Sequence, residues 1–109
     1  MYEWAKEMNC AVTVCDTKGQ IIFMNEKACK TFGKYGDMIG KNLFDCHNPQ
    51  SVAKIRELLE TGGTNAYTIE KGGLKKMIYQ TAWFENGVVG GLVEISMVIP
   101  EEMPHHVRG

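Results

Sequence analysis

The sequence predicts an α+β domain, a five-stranded antiparallel sheet with helices packed on one face. Three observations carry that prediction. Two short apolar segments near the start are joined by a glycine turn, a single capped helix occupies the middle, and three alternating segments close the chain. The pairs Gly72-Gly73 and Asn86-Gly87 separate those last three segments, and Asn-Gly is the strongest two-residue signal for a type I′ hairpin.

In chain order, residues 1–9 read as a short amphipathic helix with Trp4, Ala5 and Met8 on one face and Glu3, Lys6 and Glu7 on the other. A helix of that length needs an apolar partner, in its own domain, a second copy or a neighbouring domain. Ala11 to Asp16 and Gln20 to Met24 form a hairpin turning at Gly19. Asn25 suits a helix N-cap, with Ala28, Cys29 and Phe32 on one face of the helix and Gly33 ending it. Residues 35–39 then connect to the central stretch.

That stretch, residues 39–59, holds the densest chemistry. A glycine turn leads through Leu43 and Phe44 to Asp45, Cys46 and His47, after which Asn48 caps a helix and Pro49 fills its first turn. Val52, Ile55, Leu58 and Leu59 give the helix one apolar face, and Gly62-Gly63 stops it. Strands follow at Asn65 to Glu70, Leu74 to Glu85 and Val88 to Ile99. In the last, alternation sets Val89, Val93, Ile95, Met97 and Ile99 on a covered face, with Glu94 and Ser96 on a partly wetted one. Gly90-Gly91 marks a bulge or a close approach by another group. Pro100 ends the sheet, leaving residues 101–109 as a polar tail, so the expected division is an N-terminal helix over 1–9, a domain over 10–100 and the tail.

A chain of 109 residues makes one core. With 12 basic against 13 acidic residues and a net charge of −1, it has no field suited to nucleic acid or an anionic membrane. It shows no spanning segment and no signal pattern, so a cytoplasmic location is expected. Cys10, Cys15, Cys29 and Cys46 have no paired spacing and read as reduced thiols. Paired acids, a catalytic triad, a phosphate loop and metal-site spacing are all missing from the sequence, so a binding module is expected in preference to an enzyme.

The order of elements resembles a PAS domain over nearly the whole chain. The resemblance rests on the opening hairpin, Asn25 at the start of the next helix, the segment Phe32-Gly-Lys-Tyr-Gly-Asp-Met-Ile-Gly40, the Gly40-Lys-Asn-Leu-Phe turn, the helix from Asn48, and the final meander with Gly91-Leu-Val-Glu-Ile-Ser96. The string Cys46-His-Asn-Pro-Gln-Ser-Val52 is similar to a narrower subgroup, the PAS domains that follow hemerythrin-like cation-binding domains in some bacterial proteins. The resemblance implies a sensory module of signal transduction, with a cavity for a small molecule or cofactor and output through a homodimer or a partner signalling domain. The residues expected to contribute to ligand binding are Met24, Cys29, Phe44, Cys46, His47, Ile55, Met77, Tyr79 and Trp83. Aromatic residues on a half-buried sheet serve more often as core or interface, and a lone cysteine more often as a small buried hydrophobe.

Known PAS cofactors can be held against these residues. A flavin-type light sensor carries a reactive cysteine where this chain reads Asn42-Leu43-Phe44, which disfavours flavin. The tyrosine and glutamate that hold a photoactive-yellow-type chromophore fall at Met24 and Ala28, which cannot hydrogen-bond a phenolate. For haem, His47 is the expected iron ligand, with Cys46 beside it, although the proximal histidine of haem-binding PAS domains lies within the long helix and His47 precedes it. Alternatively His47 hydrogen-bonds local backbone and needs no metal. A competing function is thiol chemistry, as a redox sensor or rudimentary thiol enzyme, with Cys46 acidified by the helix N-terminus and His47 as base. A homodimer is expected to bury Trp4 and Met8 against Leu92 and Val98 of the last strand.

Overall fold

A computed structural model describes residues 3–31 and 38–109, with the backbone only of Cys46. The expected Phe32 contact, the Gly33 terminator and most of the Phe32–Gly40 motif lie outside the described residues. The elements are α1 (Glu3–Lys6), β1 (Ala11–Asp16), β2 (Ile21–Met24), α2 (Glu26–Thr31), a 3-10 turn (Leu43–Cys46), α3 (Pro49–Thr61), β3 (Thr64–Lys71), β4 (Leu74–Glu85) and β5 (Val88–Val98). The strands form one antiparallel sheet in the order β2-β1-β5-β4-β3, so the first and last strands meet at its centre.

Local chemistry sets the boundaries. The Asn48 side chain accepts from the Ser51 N–H at 2.8 Å, and Pro49 opens α3. Gly62 ends it in the left-handed region at φ 70°, its N–H reaching the Leu58 carbonyl. Asn86 and Gly87 both have positive φ, at 54° and 80°, as a type I′ turn requires.

Asn25 ties the N-terminal half together. It is 1% exposed and uses all four side-chain hydrogen-bonding positions. Oδ1 accepts from the Val12 N–H at 3.0 Å and the Ala28 N–H at 2.9 Å, while Nδ2 donates to the carbonyls of Ala5 and Cys10, each at 2.8 Å. One amide therefore caps α2, closes β1 and holds α1. That last element is shorter than the pattern predicts: Ala5 is buried, whereas Trp4 is 71% exposed and Met8 40%. The small residue docks, and the large ones of the expected apolar face stay in solvent.

The core lies between α2, α3 and the face of the sheet that carries Ala11, Cys15 and Leu92, with Ile21, Met24, Ile55 and Leu58 completing it. This overturns the expected faces of β5. Leu92 is 1% exposed and points to the helices, as do its alternates Glu94 and Ser96; Val93, Ile95 and Met97 instead pack with Val12, Val14 and Trp83 on the other face. Leu92 is therefore unavailable to the predicted dimer patch. Val89 also departs from the alternation. Trp83 pairs with Gly91 but Phe84 with Val89, so Gly90 is an extra residue that flips the parity of the strand. Val89 and Phe84 thereby sit against Gly62 at the end of α3.

Gly90-Gly91 serves as both bulge and close approach. A Cβ at Gly91 would stand 1.8 Å from the Cys15 carbonyl oxygen, and one at Gly90 would stand 2.2 Å from the Trp83 ring. The indole lies across this bare backbone and donates from Nε1 to the Cys15 carbonyl at 3.1 Å.

Candidate functional site

The helix-facing side of the sheet, apolar at Ala11, Cys15, Ala82 and Leu92, carries a polar row further along β3, β4 and β5. Register places Asn65 opposite Gln80 and Gln80 opposite Glu94, and their side chains form a ladder across three strands. Asn65 Nδ2 donates to Gln80 Oε1 at 3.0 Å, and Gln80 Nε2 donates to Glu94 Oε2 at 2.8 Å. A carboxylate only accepts, so Glu94 fixes the orientation of the Gln80 amide, which in turn makes Asn65 a donor. Gln80 is 3% exposed and both of its amide atoms are engaged. Each link polarises the next towards the carboxylate.

Two hollows flank the ladder. The larger, about 230 Å3, lies between the first turns of α3 and the sheet, with Ser51, Lys54, Asn65, Tyr67 and Gln80 in its wall. The smaller, about 110 Å3, is bounded by Thr13 of β1, Glu94 and Ser96 of β5, Ile78 of β4, and Lys71 and Lys76 at the β3–β4 end. The Gln80–Glu94 hydrogen bond runs from the wall of one to the wall of the other. Burial first, and then the negative charge of Glu94, push the Tyr67 phenol above its usual range.

Of the nine residues expected from the sequence to bind a ligand, the eight with described side chains are spread over the core, its margin, the 3-10 turn and the other face of the sheet. Met24 and Ile55 are packed in the core, and Cys29 and Phe44 lie at its margin. The Phe44 ring covers Gly19 and carries the Arg56 guanidinium 4.3 Å above its centroid. Met77, Tyr79 and Trp83 share a face, as alternation predicts, but it is the face away from the helices, opposite Met97, Ile95 and Gly91. His47 Nδ1 lies 2.9 Å from the Leu43 carbonyl oxygen, an N–H donor contact that secures the 3-10 turn. That bond leaves Nε2 as the ring nitrogen free to meet a metal. Of these eight, none lines either hollow beside the ladder, and Phe44 bounds a separate one with Arg56 and Leu59; the side chain of Cys46 lies outside the described residues. The two hollows beside the ladder, about 110 and 230 Å3, are smaller than the roughly 300–1,000 Å3 of cofactor-sized pockets, and the one at Phe44, about 370 Å3, does not have His47 in its wall. Burial pushes the Cys15 thiol up to about 11, a protonated and inert group at neutral pH.

Sequence reasoning missed Asn65, Tyr67, Gln80 and Glu94. The signal was present as polar residues on three adjacent strands, of which only Glu94 and Ser96 were read, as a partly wetted face.

Comparison with known proteins places this geometry. The family described as PAS domain matches residues 9–91. Among solved structures, the PAS domain of histidine kinase ThkA has a TM-score of 0.67 at 18% identity, covering 83% of this chain and 99% of that one. VqmA bound to DPO has a TM-score of 0.68 at 16% identity, covering 86% of this chain and 54% of that one. A curated relative, basic helix-loop-helix ARNT-like protein 1 of Pongo abelii, is 39% identical over 54 residues. That match takes in 49% of this chain but only 8% of the relative. No described helix is long and apolar enough to cross a membrane. The fold, the sheet order and the match over residues 9–91 agree, and the chain belongs to the PAS domain family.

Proposed function

We propose that the chain is a non-catalytic sensory module that binds a small molecule on the helix-facing side of β3, β4 and β5 and passes the signal on by protein contact. The observation that carries this reading is the ladder Asn65–Gln80–Glu94, a fully oriented polar chain in the walls of two hollows. A buried polar network stabilises little against an apolar alternative, so its presence beside a hollow points to recognition. VqmA, a protein of similar fold, is described as bound to DPO, which supports a binding role. The bases expected for thiol chemistry gain no support, since the described contact of His47 is the Leu43 carbonyl.

Output through the opposite face follows from its composition. Val93, Ile95 and Met97 pack with Val12, Val14 and Trp83 on the side of the sheet away from the core under α2 and α3. A second copy or a neighbouring signalling domain would bury it. Native mass spectrometry of freshly purified protein, beside a Gln80→Leu variant, tests the ligand. A bound small mass in the parent that is lost in the variant is the expected result. Equal retention in both would move the ligand away from the ladder. Sedimentation velocity at micromolar concentration tests the output face, where Ile95→Glu should dissociate a dimer of the parent chain.

A further inference from the structure

We propose that the smaller hollow takes a small zwitterion, an ammonium group and a carboxylate joined by a short apolar linker; this rests on the sensory reading above. Glu94 supplies one pole. Its Oε2 is occupied by Gln80, a neutral donor, and no cation of the described residues lies within ion-pair distance, the pair Lys54–Glu57 being elsewhere on α3. Glu94 stands in the wall of the hollow, and its carboxylate has capacity beyond the Gln80 bond to accept a charge-assisted hydrogen bond, for which an ammonium is the natural donor. Thr13, 4% exposed, and Ser96 stand beside it with hydroxyls able to accept further N–H bonds.

The opposite pole is at the other end of the same hollow. Lys71 and Lys76 bound it where β3 turns into β4. Lys76 lies four residues along β4 from Gln80, the partner of Glu94, a spacing of roughly 13 Å between backbones. Glu94, Lys71 and Lys76 all line the one hollow, so that it carries a negative and a positive wall. Ile69 and Ile78 line the stretch between them and suit a methylene linker. Size sets the length of that linker. A cavity of about 150 Å3 holds the six carbons of benzene, so about 110 Å3 encloses on the order of four heavy atoms, and β-alanine or γ-aminobutyrate would keep its carboxylate at the exposed Lys71 end. A simple cation would leave the lysines unanswered, and a simple anion would leave Glu94 so.

The test is a thermal-shift series on the full chain with glycine, β-alanine and γ-aminobutyrate, against butylamine and butyrate as single-pole controls. A zwitterion at concentrations well above its Kd should raise Tm by roughly 5 °C. Glu94→Gln keeps an acceptor for Gln80, and Lys71→Met/Lys76→Met leaves the ladder untouched; each should abolish the shift measured against its own ligand-free Tm. If either variant fails to fold, the other carries the test. Butylamine or butyrate acting as well as the zwitterions overturns the proposal. No shift with any probe, while native mass spectrometry finds another molecule bound, overturns it and leaves the sensory reading standing. No shift and no bound mass removes both.

Discussion

Replacing Asn25 with alanine should destabilise the protein far more than the loss of a helix cap. An N-cap alone is worth about 1 kcal/mol. Here the amide makes four hydrogen bonds at 2.8–3.0 Å from a site 1% exposed, two to N–H groups and two to carbonyls. Each bond contributes about 0.5–1.5 kcal/mol net, and buried partners left unmatched cost about 1–3 kcal/mol each, less wherever water enters. A loss of roughly 3–5 kcal/mol follows, against a total stability of about 5–15 kcal/mol for a domain of ordinary stability. Urea titration with the slope checked for constancy measures it, and Tm should fall by at least roughly 12 °C. Asn25→Asp should cost no less, because a carboxylate oxygen would replace the donor facing the Ala5 and Cys10 carbonyls. A loss near 1 kcal/mol for Asn25→Ala would refute the reasoning and reduce the residue to a cap.

Gly91→Ala should prevent folding or cost more than about 3 kcal/mol, since its Cβ meets a backbone oxygen at 1.8 Å; soluble yield and Tm report it. Leu92→Ala should cost about 2–5 kcal/mol and Ile95→Ala clearly less, because Leu92 is in the core and Ile95 is only partly buried; chemical denaturation of both orders them. Asn48→Ala should cost about 1 kcal/mol through loss of the Ser51 N–H contact, read as a shifted urea midpoint. Cys15 is raised from 9.0 to about 11 in the folded state, chiefly by burial, so the folded chain holds its proton more tightly than the unfolded one. Stability is therefore retained below about pH 9 and declines as pH rises towards about 11, a slope that Cys15→Ala should flatten in pH-dependent denaturation.

Elements set by local rules were legible in the sequence. Asn48, Pro49 and Gly62 bound α3 through short-range geometry, and the Asn86-Gly87 turn follows from φ preferences alone. The role of Asn25 as a cap was readable for the same reason, but its bonds to Ala5 and Cys10 join segments far apart in sequence and leave no local trace. Alternation gave the two faces of β5 without saying which one meets the helices. Apolar count favoured the Val93–Ile95–Met97 face, whereas Leu92 and the register with Ala11 and Cys15 put the helices on the other. That inversion carried the site with it. Tyr79 and Trp83, expected to line a pocket, lie on the face away from α2 and α3, while Gln80 drew no expectation and Glu94 was placed on the partly wetted face. Val89 could not be placed because a bulge at Gly90 resets the period.

The central claim is that recognition happens at the ladder on the helix-facing side of β3–β5, and side-chain amide NMR tests it most directly. The NH2 resonances of Asn65 and Gln80 should be well dispersed and slow to exchange, as donors to Gln80 Oε1 and Glu94 Oε2 must be. On titration with a molecule that raises Tm, those two resonances and the backbone signals of Thr13 and Ser96 should shift together. Shifts confined to Val12, Val93 and Met97 on the opposite face, with both amides unmoved, would contradict it.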